Sequence, residues 1–453
     1  MRLPRIPYCV RVSPMVLPCL VATLGCESDD SSDPGGTGGS GGTSSTSSGA
    51  GAGGTGDGGS GGAGTAAGGT LGVAGEGGDD NAAGAGGAPD DRSVFRPEVR
   101  DFSESYLDDL SVPDGFALSV YATDLQHARM LAVHGDHVYL TRPLQGDVLR
   151  FVDEDADGEA ESTVRVVTDL MQVHGIAFSG SSIFLATDKQ VYRGAVNDDG
   201  NVTDVMPIGE ELPDGGQHPY RTLGVGPDEM LYISVGSNCD ACEQLDPELA
   251  AMLRANLNGL DREVFASGLR NTIGFGWHPN TDELWGLDHG SDWRGNDLPP
   301  EELNRIASGN DYGWPYCFAK REPDPVIEDP MGMSKQEYCA ETTPSVLEYQ
   351  AHGAPIGMAF YTEGNFPEDY EGDAFVAMHG SWNRFPPTGY GVVRLHFEQG
   401  EPTTFEDFVS GFLIEEGRAT FGRPAGIVVA PDGALLFSDD ANGIVYRVSY
   451  DGE

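Results

Sequence analysis

Pro424–Asp439, PAGIVVAPDGALLFSD, reads as an apolar strand, a Pro-Asp-Gly turn and a second apolar strand. Turn residues between two short β-favouring runs are the signal of a strand pair. The same unit stands five times upstream. It is MLAVHGDHVYLT from Met130, GIAFSGSSIFLAT from Gly175, TLGVGPDEMLYISVG from Thr222, TIGFGWHPNTDELWGLD from Thr272 and PIGMAFYTEGNFPEDYEGDAFVAM from Pro355. A second echo follows each one, with an Arg near its centre and usually a Gly behind it: GDVLRFVDEDADG, QVYRGAVNDDG, AMLRANLNG, EELNRIASG, YGVVRLHFEQG and GIVYRVSYDG. Six doublets recurring about every 45 to 90 residues predict an all-β fold, a six-bladed β-propeller with four-stranded blades. A β-sandwich accounts less well for recurrence over this length. A seventh unit from Val94 to Leu110 is a weaker reading. The last strand, IVYRVSY, is expected to close the ring beside a strand near Phe116–Tyr121.

The amino end has a different composition. Arg2, Arg5 and Arg11 lead into an apolar run, Val12 to Leu24, too short and too Pro-interrupted to cross a bilayer. That pattern predicts an export signal over residues 1–26. Thr23-Leu24-Gly25-Cys26 is similar to a bacterial lipoprotein cleavage box, in which Cys26 becomes the lipidated first residue, although Thr stands where such boxes prefer Leu. Ordinary signal cleavage is the alternative. Residues 27–91 are Gly, Ser, Ala, Thr and Asp with almost nothing apolar, a composition expected to remain a disordered tether. The propeller then occupies 92–453. An exported chain in the cell envelope (periplasm or outer surface), touching membrane only through a lipid anchor, is the expectation. The net charge of −46 argues against nucleic acid, whose phosphates need a basic face.

Beyond Cys9, Cys19 and Cys26, four cysteines remain: Cys239, Cys242, Cys317 and Cys339. An even number in an exported chain favours two disulfides. Cys239–Cys242 and Cys317–Cys339 are the simplest pairs, and a zinc site from all four is the rival, with no second C-x-x-C to support it.

Ser267 to Cys317 holds four of the five Trp, with charged residues among Gly and Pro. Four loops around the expected channel carry candidate chemistry. Gly215-Gly216-Gln217-His218 precedes the third doublet, Gly268-Leu269-Arg270-Asn271 the fourth, and Phe421-Gly422-Arg423-Pro424 the sixth; Asp288-His289-Gly290-Ser291 follows a strand end. A turn histidine, a solvated Arg and a plain acidic turn are the bland readings of these loops. His218, Arg270 and Arg423 nonetheless hold similar places before their blade's first strand, so all three should face one axial cavity. Two cations and a histidine suit a small polyanionic cofactor with a base beside it.

The runs EVFASGLRNTIGFGWHP, GNDLPPEELNRI, GNDYGWPYC, GDAFVAMHGSWNR, PTGYGVVRL and GRPAGIVVAPDGALLFSDDANGIVYRVSY, between Glu263 and Tyr450, carry a family resemblance that covers roughly residues 112–450. This region resembles the soluble pyrroloquinoline quinone (PQQ) sugar dehydrogenases, most closely the sorbosone dehydrogenases. The resemblance implies PQQ and calcium (Ca2+) in the channel mouth and oxidation of a sugar or related alcohol or aldehyde. It implies His218 as the general base and Arg270 and Asn271 as the pair holding cofactor and substrate oxygen. It also implies Arg423 on PQQ, backbone carbonyls of Gly290 and Ser291 on the cofactor-site calcium, and a second calcium at Glu302 and Tyr312 beside Glu301.

The departures leave the cofactor expected to sit alike, with His289, His352 and Arg384 as further cofactor-binding candidates, while the substrate pocket differs. The glucose-oxidising members carry Lys on the fifth blade, where this chain has HGSWNR, leaving Arg384 or His379. His289 replaces a Gln, His352 a Thr, and Gln217 an Asp. No C-x-x-C-H haem motif exists, since Glu243 follows Cys242, so electrons should leave to a separate acceptor (a cytochrome, quinone or small carrier). Asp153–Gly158 begins like a calcium loop, but Val164 stands where an EF-hand needs Glu, which favours an acidic surface turn. Two rival functions remain: a metal-dependent lactonase on the same fold, and a surface propeller that binds glycan or protein without turnover.

Overall fold

The computed structural model describes residues 94–452. The expected export signal, the expected lipidation site at Cys26 and the expected Gly-rich tether lie outside the described residues. What is described is nearly all β, with six four-stranded antiparallel sheets and one α-helix, Lys335–Glu341. In the first sheet Leu131–His134, His137–Arg142, Asp147–Val152 and Ser162–Val167 follow one another as a meander. The later sheets repeat that order, beginning at Gly175–Ser179, Thr222–Val225, Thr272–Trp277, Pro355–Phe360 and Pro424–Val429. The sixth sheet takes its outer strand from the other end of the domain. Phe116–Ala122 pairs antiparallel with Ile444–Tyr450, Phe116 opposite Tyr450, as expected for the closing strand.

The first strand of each sheet touches that of the next, and the sixth touches the first, so the sheets form a closed ring, the arrangement of a β-propeller. Glycine makes this approach possible. A Cβ on Gly357 would lie 2.5 Å from the carbonyl oxygen of Ala425 in the following sheet, and one on Gly426 2.3 Å from that of Arg129. Apolar residues fill each space between neighbouring sheets. Phe184 and Ala186 of the second sheet pack with Leu231, Ile233 and Leu253 of the third, and Trp285 and Leu303 of the fourth with Val376 and Leu395 of the fifth.

The recurring Arg of the sequence echo has a register reason. Arg150, Arg193, Arg254, Arg305 and Arg394 on third strands stand opposite Tyr139, Phe184, Tyr232, Trp285 and Phe375 on second strands. The guanidinium lies over an aromatic ring in several of them, 4.8 Å from the Trp285 centroid for Arg305, and covers the sheet face. Only the sixth sheet departs, with Leu436 opposite Arg447.

Residues 94–110 form no further four-stranded sheet. Glu98–Val99 pairs in parallel with Ala419–Thr420 in a three-stranded sheet, and Glu104–Asp109 is a 3-10 helix. Both expected disulfides are present, Cys239–Cys242 and Cys317–Cys339. The second lies in a buried cluster with Tyr316, inside the insert between the third and fourth strands of the fourth sheet.

Candidate active site

At the ring axis a cavity of about 320 Å3 is lined by His218, Arg270, Asn271, His289, His352 and Arg423 among others. His218 sits in a tight turn, its N–H bonded 2.8 Å from the Gly215 carbonyl. Gly216 there has φ +49°, and a Cβ would fall 2.3 Å from the Asn238 oxygen. The Nδ1 of His218 lies 2.8 Å from the Ser237 carbonyl and 2.9 Å from its hydroxyl. The carbonyl only accepts, and the hydroxyl donates to the Cys239 carbonyl at 2.7 Å, so Nδ1 carries the proton. Nε2 therefore keeps its lone pair, and it has no hydrogen-bond partner among the described residues. Burial, and then the nearby Arg270 charge, hold the imidazole well below its usual pKa, so it is neutral at pH 7.

Arg270 and Asn271 enter from the neighbouring loop. Asp288 accepts both of their backbone N–H groups at 2.8 Å and the Thr272 hydroxyl at 2.7 Å, which locks the loop to the strand end. The Arg270 guanidinium donates to the Asp240 carbonyl and carboxylate and reaches Asp292 at 3.3 Å. Burial alone would lower its pKa, but Asp292 and Asp240 outweigh that and raise it.

The facing wall comes from the fifth, sixth and first sheets. Arg423 donates to the carbonyls of His379 and Gly380, with no carboxylate in ion-pair range among the described residues. Beside it, Asp440 accepts from His379 at 2.9 Å and from Arg129 at 2.5 Å. Burial raises the Asp440 pKa, and these partners override it, leaving a carboxylate held far below its usual range. His289 donates from Nε2 to the Pro355 carbonyl, and His352 to that of Gly295.

A second cavity, about 10 Å3, is lined by Asp288, Gly290, Ser291, Glu302 and Tyr312. Burial pushes the Glu302 carboxyl up to about 8. Among the described residues its oxygens accept only from the Ala319 N–H and the Asn304 amide. Glu301 belongs instead to the large cavity, accepting from the N–H groups of Gly290 and Ala354. Tyr312 uses its hydroxyl on the Arg305 carbonyl. Arg384 is not brought to the cavity wall, because the carbonyls of Asn296 and Pro386 and the Asp297 carboxylate take its guanidinium. The Asp153 loop is an exposed acidic turn in which Glu161, not residue 164, adds a fourth carboxylate near Asp153, Asp155 and Asp157.

A family model described as TrAA12-like matches residues 110–451. The chain belongs to the TrAA12-like family. Among its relatives is an uncharacterised protein of Borreliella burgdorferi, 35% identical over 225 residues, 49% of this chain and 57% of that one. A PQQ-dependent pyranose dehydrogenase of Coprinopsis cinerea is 30% identical over 170 residues, 30% of this chain and 22% of the relative. The aligned part thus spans less than two thirds of either relative. The solved structure of a Trichoderma reesei carbohydrate-active enzyme of family AA12 superposes with a TM-score of 0.66 at 21% identity, over 79% of this chain and 99% of that one. The fold is shared.

Several cavity residues of this TrAA12-like chain are not singled out by its motifs: Arg96, His127, Arg129, Tyr220, Trp382 and Asp440. The rule that drew attention to Arg423 would have found Arg129, two residues before the first sheet's inner strand. Asp440 follows its sheet's second strand as His289 and His379 follow theirs. Arg96 carried no signal, since it precedes the first repeat.

Proposed function

We propose that this chain is a PQQ- and calcium-dependent dehydrogenase of a sugar or related alcohol or aldehyde, each four-stranded sheet being one blade of a six-bladed propeller. The observation that carries the reading is His218: a buried, neutral imidazole with a free Nε2, in a cavity walled by arginines. The residues fit the cofactor. Arg423, bonded only to carbonyls, has its charge available to a ligand carboxylate, and Arg270, Asn271, His289 and His352 flank it. They also fit a hard cation: Glu302 and Asp288 bring buried oxygens to a cavity of ion size beside the Gly290 and Ser291 backbone, with Tyr312 and, across the strand, Glu301 adjacent. When bound, PQQ supplies a quinone that takes two electrons and calcium supplies Lewis acidity.

The chain's own part begins with substrate placement. The Asn271 amide and the Arg270 guanidinium orient the reacting oxygen, and His218 Nε2 takes the hydroxyl proton. Closure of the ring on all sides limits water to the mouth. The relative from Coprinopsis cinerea bears the name of such an enzyme, and the motifs point the same way. Export by residues 1–26, an anchor at Cys26, a tether over 27–91 and a separate electron acceptor belong to the same proposal.

The test is reconstitution of the full chain with PQQ and calcium, scoring dye reduction over aldoses and ketoaldehydes, with calorimetry for PQQ. Binding with turnover supports the reading and identifies the substrate class. Failure of PQQ to bind at micromolar concentration with calcium present overturns it, and binding without turnover on any sugar overturns the sugar assignment.

A further inference from the structure

We infer that Ser237 and Asp240, fixed by the closed Cys239–Cys242 loop, are the positioning residues that set the tautomer of His218 and the direction of Arg270. The inference rests on the reading of His218 as the base. The two disulfides among the described residues do different things. Cys317–Cys339 spans a sequence separation of 22 and packs into an apolar cluster. Cys239–Cys242 spans only 3, is part-exposed and joins no apolar cluster. A loop that short removes little entropy from the unfolded chain, so its value lies in folded geometry.

That geometry leads to the cavity along two routes. Along the first, the Cys239 carbonyl accepts the Ser237 hydroxyl proton at 2.7 Å, which turns the oxygen's lone pairs toward His218 Nδ1–H at 2.9 Å. Along the second, the Asp240 carbonyl accepts from Arg270 Nε at 2.8 Å, and its carboxylate from Nη2 at 2.9 Å and from the Asp292 N–H at 2.7 Å. The loop itself lies outside any strand. Besides the disulfide, Gln244 braces it, donating to the Cys242 carbonyl and accepting from the Asn238 N–H at 3.1 Å each. Opening the ring frees the Cys239 carbonyl and Asp240 together. Positioning partners of this kind typically carry a 10–100-fold effect.

The experiment compares the full-length chain with Ser237→Ala, Asp240→Asn and the double variant Cys239→Ser/Cys242→Ser. Histidine is labelled with 15N, and the His218 signal is assigned by its loss in His218→Gln. Wild type and Ser237→Ala are expected to show the Nδ1–H tautomer, because the Ser237 carbonyl 2.8 Å from Nδ1 survives that substitution, and the double variant a mixture, with kcat/KM lower by about tenfold or more in both variants. Asp240→Asn is expected to weaken PQQ binding by about tenfold while leaving the tautomer unchanged. A single Nδ1–H tautomer in the double variant, with the kcat/KM of it and of Ser237→Ala and the PQQ affinity of Asp240→Asn all within about twofold of wild type, overturns the inference. If the double variant loses its near-ultraviolet circular dichroism, the kcat/KM of Ser237→Ala and the PQQ affinity of Asp240→Asn decide. If wild type binds no PQQ, the dehydrogenase reading fails, and the tautomer signal, which needs no cofactor, still judges the positioning role.

Discussion

A buried base works at neutral pH only if burial leaves it uncharged, and His218 meets that condition through desolvation and the Arg270 charge. His218→Gln should lower kcat by about 10²–10⁴-fold with the PQQ dissociation constant little changed. The kcat/KM of wild type should stay flat as pH falls through 6.5 and drop only further into acid, because the folded pKa is depressed. A steady-state profile with its midpoint at 6.5 would remove His218 from the role. Asp439 shows the opposite sign. Burial pushes its carboxyl up to about 7, and its Oδ2 finds no partner, while Oδ1 accepts from the N–H groups of Arg423 and Ala441. The folded state therefore holds the proton more tightly than the unfolded chain, so its contribution is full below 3.8 and is lost as pH rises through 7. Asp439→Asn should gain on wild type between pH 5 and 8, by at most about 1.4 kcal/mol per pH unit, read from urea titrations at both pH values. His218, Arg270 and Arg423 were legible because each precedes an inner strand in a Gly turn. Asp292, Asp240 and Asp440 were not, because an acidic residue in a loop of a chain with 72 of them carries no signal until its partner is known.

At the scale of the element, the closing strand matters more than its length suggests. Phe116 begins Phe116–Ala122 and sets its ring against Tyr450 at 5.0 Å, and also against Phe366 at 4.8 Å and Phe408 at 5.1 Å of the fifth sheet's cluster. One side chain thus fastens the amino-terminal strand to two sheets. Phe116→Ala should cost about 2–4 kcal/mol in chemical denaturation, below the full core value because Phe116 is only half-buried. A loss under about 0.5 kcal/mol would mean that backbone pairing alone closes the ring. The strands themselves could be read from the sequence, since alternating apolar runs and Pro-Asp or Asn turns are local signals. The Arg echo could be seen but not explained, because its reason is a register across strands. Glu98–Val99 was invisible. Two exposed residues pairing in parallel with Ala419–Thr420 depend on a partner more than three hundred positions away.

For the whole molecule, the net charge of −46 and the cationic cavity pull in different directions. Arg129 and Arg270, two of the four arginines that line the cavity, face carboxylates at 2.5 and 2.9 Å, so part of the cavity's positive charge is compensated locally and less of it projects beyond the mouth. An approaching molecule meets the acidic exterior first. Long-range fields govern encounter rates more than final affinity, and salt screens them over about 8–10 Å at physiological strength. If electrons leave to a separate acceptor, that acceptor should be cationic. At low ionic strength a cationic phenazine dye should reoxidise the loaded chain faster than anionic ferricyanide. Salt should slow the first and speed the second, each toward a plateau set by its own intrinsic reactivity. Rates insensitive to salt would place the exit for electrons at a neutral patch. A preference for ferricyanide would mean that the arginines at the mouth, not the acidic exterior, set the field an acceptor meets.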